Sequence, residues 1–225
     1  MRFGVVRFPG SCDEVDALLA CRRHADAELL WHGDRDLGGV DVVVIPGGFS
    51  YGDYLRPGAI ARFSPVMEAV AGFARAGGLV LGICNGFQVL CEARLLPGAL
   101  LPNQGRRFLC RQVELEVVRD GLPFTRACTK GDVLSIPVKH TSGRYHAPER
   151  ELRELEANGQ VILRYRPGHN PNGSAGDVAA VANAEGNVMG LMPHPEHAVD
   201  PLTGSSDGGR LFESLVAHVS ELLPA

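Results

Sequence analysis

Short apolar runs rich in β-branched residues at 2–8, 27–30, 40–45 and 79–83 alternate with segments of helical period, and this alternation constrains the fold more than any other feature of the chain. Neighbouring parallel strands cannot be joined by a tight turn and need a crossover, usually a helix, so the pattern predicts a doubly wound α/β fold. The runs at 40–45 and 79–83 are apolar enough to be covered on both faces. Val15, Leu18 and Leu19 predict one helical stripe. Ser64-Pro65 opens another helix with a capping residue and a proline at the first position, and a third helix starts just after Cys84.

Past residue 108 the character changes. Val113, Leu115 and Val117 alternate with Gln112, Glu114 and Glu116, the mark of a strand with one wet face. The expectation is a mostly parallel sheet with antiparallel strands packed beside it, further strands falling at 133–138, 161–165, 178–181 and 188–192. The chain closes on a helix in which Phe212, Leu215, Val216, Val219, Leu222 and Leu223 follow helical spacing after a Ser-Ser-Asp-Gly-Gly start that offers a cap. The 225 residues contain no repeat or linker, and one core can serve them, so a single domain over 1–225 is expected.

Composition excludes several functions. With 22 basic against 26 acidic residues, interspersed, no basic stripe offers itself to a nucleic-acid backbone. The amino terminus lacks the long apolar region of a secretory signal, and no window reaches the eighteen or so apolar residues of a membrane span, so a soluble, cytoplasmic protein is expected. Six scattered cysteines without a C-x-x-C pair suggest neither a disulfide framework nor a zinc knuckle. Cys21 and Cys91 read as core residues; Cys84 does not.

Gly82-Ile83-Cys84-Asn85-Gly86 joins an apolar strand to a helix-like segment. A side chain at such a turn projects outward in an uncommon backbone conformation, and the flanking glycines relieve crowding, so Cys84 reads as a nucleophile on an elbow. The helix that follows favours a thiolate through its partial positive charge, and Asn85 offers a backbone N–H to an oxyanion. Pro46-Gly47-Gly48, after the strand at 40–45, supplies Gly47 and Gly48 as further donors.

Pro193-His194-Pro195-Glu196-His197 follows the strand at 188–192. The two prolines predict an extended segment in which His194 and Glu196 share a face, so that the carboxylate holds one ring nitrogen and aims the other at Cys84. By the same reading His197, the rival base, points away, and a metal site built on His194 and His197 is not expected because Pro195 denies them a helical turn. His24, His32, His146, His169 and His218 read as surface or structural residues. A thiol, an oriented imidazole and an oxyanion hole equip the chain for acyl transfer through a thioester; they do not say which acyl group.

These residues carry a resemblance. G-I-C-N-G-F-Q (82–88) with P-H-P-E (193–196) is similar to the class I (triad) glutamine amidotransferases, and the run Gly48 to Arg56 with Asn170-Pro171-Asn172-Gly173-Ser174 resembles the glutaminase subunits of phosphoribosylformylglycinamidine synthases. The resemblance covers essentially the whole chain. It implies a flavodoxin-like fold, hydrolysis of glutamine with Cys84 as nucleophile, His194 as base and acid and Glu196 as its orienter, an oxyanion hole from Gly48 and Asn85, and substrate contacts from Gln88 and His140. It also implies delivery of ammonia to a large ATP-dependent synthetase subunit, with a small third subunit in many bacteria. No cofactor is expected in this chain, which has no G-x-x-x-x-G-K-[ST] loop; ATP and magnesium belong to the synthetase. The chain departs from the family at Cys12-Asp13, where Asn-Cys-Asp is usual, and at Lys139-His140-Thr141-Ser142-Gly143, where Ala-His-Gly-Glu-Gly is usual. Another amidotransferase of the same fold, or a relative whose thiol is oxidised rather than acylated, are the competing readings.

Overall fold

Every residue of Val42–Ile45 (β3) and of Leu79–Ile83 (β4) is buried, and the remaining strands are laid out around this apolar centre. The computed structural model describes residues 1–222. Its main sheet has nine strands, numbered along the chain. In spatial order they are β2 (Asp26–Trp31), β1 (Arg2–Arg7), β3, β4, β11 (Val188–Leu191), β10 (Val178–Ala182), β9 (Val161–Tyr165), β6 (Leu109–Val117) and β7 (Val133–His140). The first five run parallel. Their order is that of a flavodoxin-like sheet, with its switch point between β1 and β3.

The antiparallel strands do not pack beside the parallel sheet as a separate layer; they continue it. β11 pairs in parallel with β4 and antiparallel with β10, and β9, β6 and β7 follow. A strand with one wet face reveals its burial but not its partner, and the free edge of β11 must satisfy its N–H and C=O groups somewhere. A second, two-stranded sheet pairs β5 (Ala99–Pro102) with β8 (Ser142–His146). Both strands are too short and mixed to stand out in the sequence. So is α4 (Glu149–Ala157), whose only buried residue is Leu155.

The helix α1 (Glu14–Arg22) corrects the expected stripe. It buries Glu14, Ala17, Leu18 and Cys21, spaced 3, 4 and 7, while Val15 and Leu19 face solvent. Glu14, which pairs with Arg7, disguised the true face. Helix α2 (Pro65–Arg75) starts where expected, but Ser64 does not cap it: its Oγ lies 2.8 Å from the Tyr51 hydroxyl. Likewise Asp207 does not cap the closing helix α5 (Gly209–Leu222) but accepts the Ser135 N–H. Phe212 and Leu215 are buried in α5, and Leu223 lies outside the described residues. Among the described residues no helix is long and apolar enough to cross a membrane.

Helix α3 (Asn85–Glu92) crosses β3, β4 and β11 closely. Gly86 permits this approach, because a Cβ there would collide with the Ile45 carbonyl. Gly86→Ala is therefore expected to lower unfolding free energy by about 1–3 kcal/mol through overpacking. Gly72 in α2 has open space where a Cβ would go. Gly72→Ala should raise stability by about 0.5–1 kcal/mol by restricting the unfolded chain. Urea unfolding of both variants checks this pair of opposite signs; a neutral G86A would refute the close approach.

Candidate active site

The residues singled out in the sequence gather at the carboxyl ends of β1, β3, β4 and β11, where open α/β sheets bind their ligands. Cys84 directly follows β4 with φ 49° and ψ −102°. For a residue with a side chain this conformation costs about 1–3 kcal/mol and persists only where its surroundings enforce it. They do so here: the Cys84 N–H donates to the Leu191 carbonyl of β11 at 2.8 Å, and α3 begins at the next residue. The thiol borders a cavity of about 490 Å³ shared with Gly48, Asp53, Gln88, Lys139 and His140. A larger cavity, about 940 Å³, opens at the opposite ends of β4 and β11 beside Arg75, Arg94 and Glu185 and contains none of these groups.

His194 follows β11 but is not part of an extended segment. It opens a 3-10 turn, Pro195–His197. Proline is well placed at the first position of such a turn, where its missing N–H would have had no partner, so flanking prolines did not exclude helical geometry. The expected neighbour relation still arises: His194 Nδ1 lies 2.5 Å from Glu196 Oε1, and both side chains are buried. The turn has a second effect. His197 does not point away; its Nε2 is 3.5 Å from Glu196 Oε1, and its ring centroid is 5.5 Å from that of His194.

With Nδ1 taken by Glu196, the other nitrogen of His194 has no partner besides the thiol it faces. Burial alone would lower the imidazole pKa, but the charges of Glu196 and Cys84 raise it to about 10. The geometry thus favours an imidazolium held between a carboxylate and the sulfur.

Of the two glycines after β3, Gly48 borders the cavity. Its neighbours are pinned: the Phe49 N–H donates to Gly10 O, and the Cys12 and Asp13 N–H groups both point at Gly47 O. The Gly48 N–H takes part in none of these bonds. Gly47 packs behind, where a Cβ would meet the Asp13 carboxylate and would lie 2.7 Å from His194 Cε1. The Asn85 N–H is one of the unpaired donors at the start of α3. Its side chain accepts the Ser50 N–H and donates to Gln88 Oε1 and to Asp53, so the 49–56 loop is folded over the elbow. Tyr51, Asp53 and Leu55 in that loop all have positive φ. Burial pushes the Asp53 carboxyl up to about 6, against the hydrogen bond from Asn85.

Gln88 is buried rather than on a helix surface. It donates to the Ser142 carbonyl at 2.7 Å and accepts from Asn85 at 2.9 Å, which leaves one N–H and one lone pair for the cavity. His140 is buried with Nδ1 3.0 Å from Asn103 Oδ1. Because the Asn103 amide nitrogen donates elsewhere, its oxygen is the acceptor and the His140 Nδ1 carries the proton. Burial, reinforced by His194, lowers the His140 pKa to about 4. Asn172 of the Asn-Pro-Asn-Gly-Ser segment stands behind this wall and donates to Gly143 O.

Two residues escaped the sequence reading except as departures from a family pattern. Asp13, in the turn after β1, is buried against the His194 turn, and Lys139, at the end of β7, pairs with it. Position at the end of a central parallel strand was the available signal for Asp13. The donor atoms of Asp13, His194, Glu196 and His197 lie within 4.8 Å of one another, close enough to hold a metal. The protein's own Lys139 already serves Asp13 as counter-ion. Cys21 is buried in the core as expected, and Cys91 is half-buried against it.

Comparisons with known proteins find relatives over nearly the whole chain. The description of the CobB/CobQ-like glutamine amidotransferase domain matches residues 1–216. The phosphoribosylformylglycinamidine synthase subunit PurQ of Salinibacter ruber is 55% identical over 228 residues, with 97% of each chain covered. The same subunit from Rubrobacter xylanophilus is 57% identical, with 96% of this chain and 98% of that one covered. Among solved structures, a chain of PurLQS from Thermotoga maritima superposes with a TM-score of 0.90 at 41% identity, covering 97% of this chain and 98% of its own. The chain belongs to the CobB/CobQ-like glutamine amidotransferase family, on the branch formed by the PurQ subunits of phosphoribosylformylglycinamidine synthase.

Proposed function

We propose that the chain is the glutaminase subunit of a phosphoribosylformylglycinamidine synthase and that Cys84, His194 and Glu196 carry out its chemistry. The observation that carries this reading is the Cys84 thiol on a strained elbow, facing an imidazole locked by Glu196 at 2.5 Å. The Cys84 thiolate attacks the side-chain carboxamide of glutamine, and the oxyanion that forms takes hydrogen bonds from the Gly48 and Asn85 N–H groups. The His194 imidazolium protonates the leaving nitrogen, so the C–N bond breaks, ammonia departs and a thioester remains. The now neutral ring takes a proton from water as it attacks the thioester; the C–S bond breaks, glutamate is released, and the Cys84 thiolate and His194 imidazolium are regenerated. Gln88 and His140 line the same cavity and contact the substrate.

The ammonia is consumed by a large ATP-dependent synthetase subunit, which holds ATP and magnesium, with a small third subunit in the assembly. Support comes from the sequence, which has no phosphate loop to activate an acceptor. It comes also from the cavity mouth, where Phe49, Leu55 and Phe108 are exposed, Leu55 to 89%, a grouping suited to burial against a partner. We place the reaction in the cytoplasm, with its substrates glutamine and ATP.

Cys84→Ala in the assembled synthase is expected to abolish glutamine-dependent synthesis while leaving synthesis from added ammonia; loss of both would refute a role confined to the glutaminase step. Glu196→Ala should lower glutaminase kcat by about 10²-fold, less than Cys84→Ala, since an unoriented imidazole still reaches the sulfur part of the time. Steady-state glutamate release measures the difference.

A further inference from the structure

Asp13 is placed at the meeting point of the segments that build the site. Its N–H points at Gly47 O in the strand end that leads to Gly48. Its Oδ1 takes both Lys139 Nζ and, at 3.3 Å, His197 Nε2. Its Oδ2 is thereby turned toward His194 Nδ1, 3.8 Å away. That is too long for a hydrogen bond but close for two charges in a site shielded from water. The space depends on Gly47: any Cβ there would collide with Asp13 Oδ2 and with the His194 ring.

We propose that Asp13, anchored by Lys139, is a positioning residue: a second carboxylate that fixes the His194 ring and holds it as the imidazolium during glutamine hydrolysis. The proposal rests on the glutaminase reading above. Two carboxylates this close would repel if unbalanced, and Lys139 removes that penalty by binding the Asp13 oxygen farther from the base. His197, Lys139 and His194 hold the Asp13 carboxyl well below the usual carboxylate range although burial opposes them. The second carboxylate matters once the thiolate has added to the carboxamide, before the C–N bond breaks. Sulfur then carries no charge, so the ring loses one of the three negative groups beside its proton. Asp13 and Glu196 remain to hold the ring until it has delivered that proton.

The titratable groups facing His194 are Cys84 from the elbow, Asp13 from the β1 turn, His140 from β7, and Glu196 and His197 from its own turn, with Lys139 of β7 paired to Asp13. Cys21 of α1 lies close enough to Glu196 to feel its charge. Asp13 and Lys139 differ in sign, which yields a test that a merely structural role does not pass. In the assembled synthase, glutaminase kcat and KM are followed against pH for the native protein, Asp13→Asn, Asp13→Glu and Lys139→Met.

Removal of the negative charge in D13N should move the alkaline limb down by about one pH unit, lower kcat about tenfold and leave KM within about twofold. Removal of the positive charge in K139M should move the same limb up. D13E should recover part of kcat. Limbs that do not move, or that move in the same direction in both variants, overturn the proposal, as does an effect confined to KM. If D13N does not assemble, K139M decides alone, and an unmoved limb overturns it. A native protein without glutaminase activity in the complex would instead sink the reading on which the proposal rests.

Discussion

The parallel pairing of β4 with β11, closed by the hydrogen bond from the Cys84 N–H to the Leu191 carbonyl, sets where the thiol and the imidazole stand relative to one another. Ile83 and Leu191 are register partners, so the residues just beyond each strand emerge side by side at one end of the sheet. Everything else at the site is arranged around that fixed separation. The strained backbone of Cys84 is tolerated because β11 on one side and the close crossing of α3 over Ile45 on the other leave it no alternative.

The chemistry of the site is a problem of charge placed out of water. A buried carboxylate is expensive unless its charge is met, and here Glu196 is met by His194 while Asp13 is met by Lys139. The two pairs interlock through His197, which touches both carboxylates. Such an arrangement favours an imidazolium beside the Cys84 thiol, which borders the cavity of about 490 Å³. The neutral His140, its tautomer set by Asn103, adds a polar wall without adding charge.

Much of this was legible in the sequence, and where it was not the causes are specific. The apolar runs that became β3 and β4, the glycine-flanked Cys84 and the His194–Glu196 pair all announce themselves through short-range constraints: burial on two faces, relief of crowding, and proline. The face of α1 is not legible in its apolar pattern because Glu14 is buried and Val15 and Leu19 are not, which Arg7 and the neighbouring strand decide rather than α1 itself. Pro195 suggests extension, yet proline at the first position of a helical turn is unstrained. Ser64 and Asp207 look like caps by composition but are claimed by Tyr51 and Ser135 from elsewhere in the chain.

The sequence by itself determined the strands and helices of the parallel half, the elbow cysteine and its histidine and glutamate, because these depend on residues within a few positions of one another. Only the tertiary structure decided that the antiparallel strands extend the same sheet, that the 3-10 turn brings His197 back beside Glu196, and that Asp13 and Lys139, 126 residues apart, form an ion pair beside His194. The physical reason is that partner choice across a sheet edge and the pairing of buried charges are settled by what else arrives at the same place, which no local pattern records.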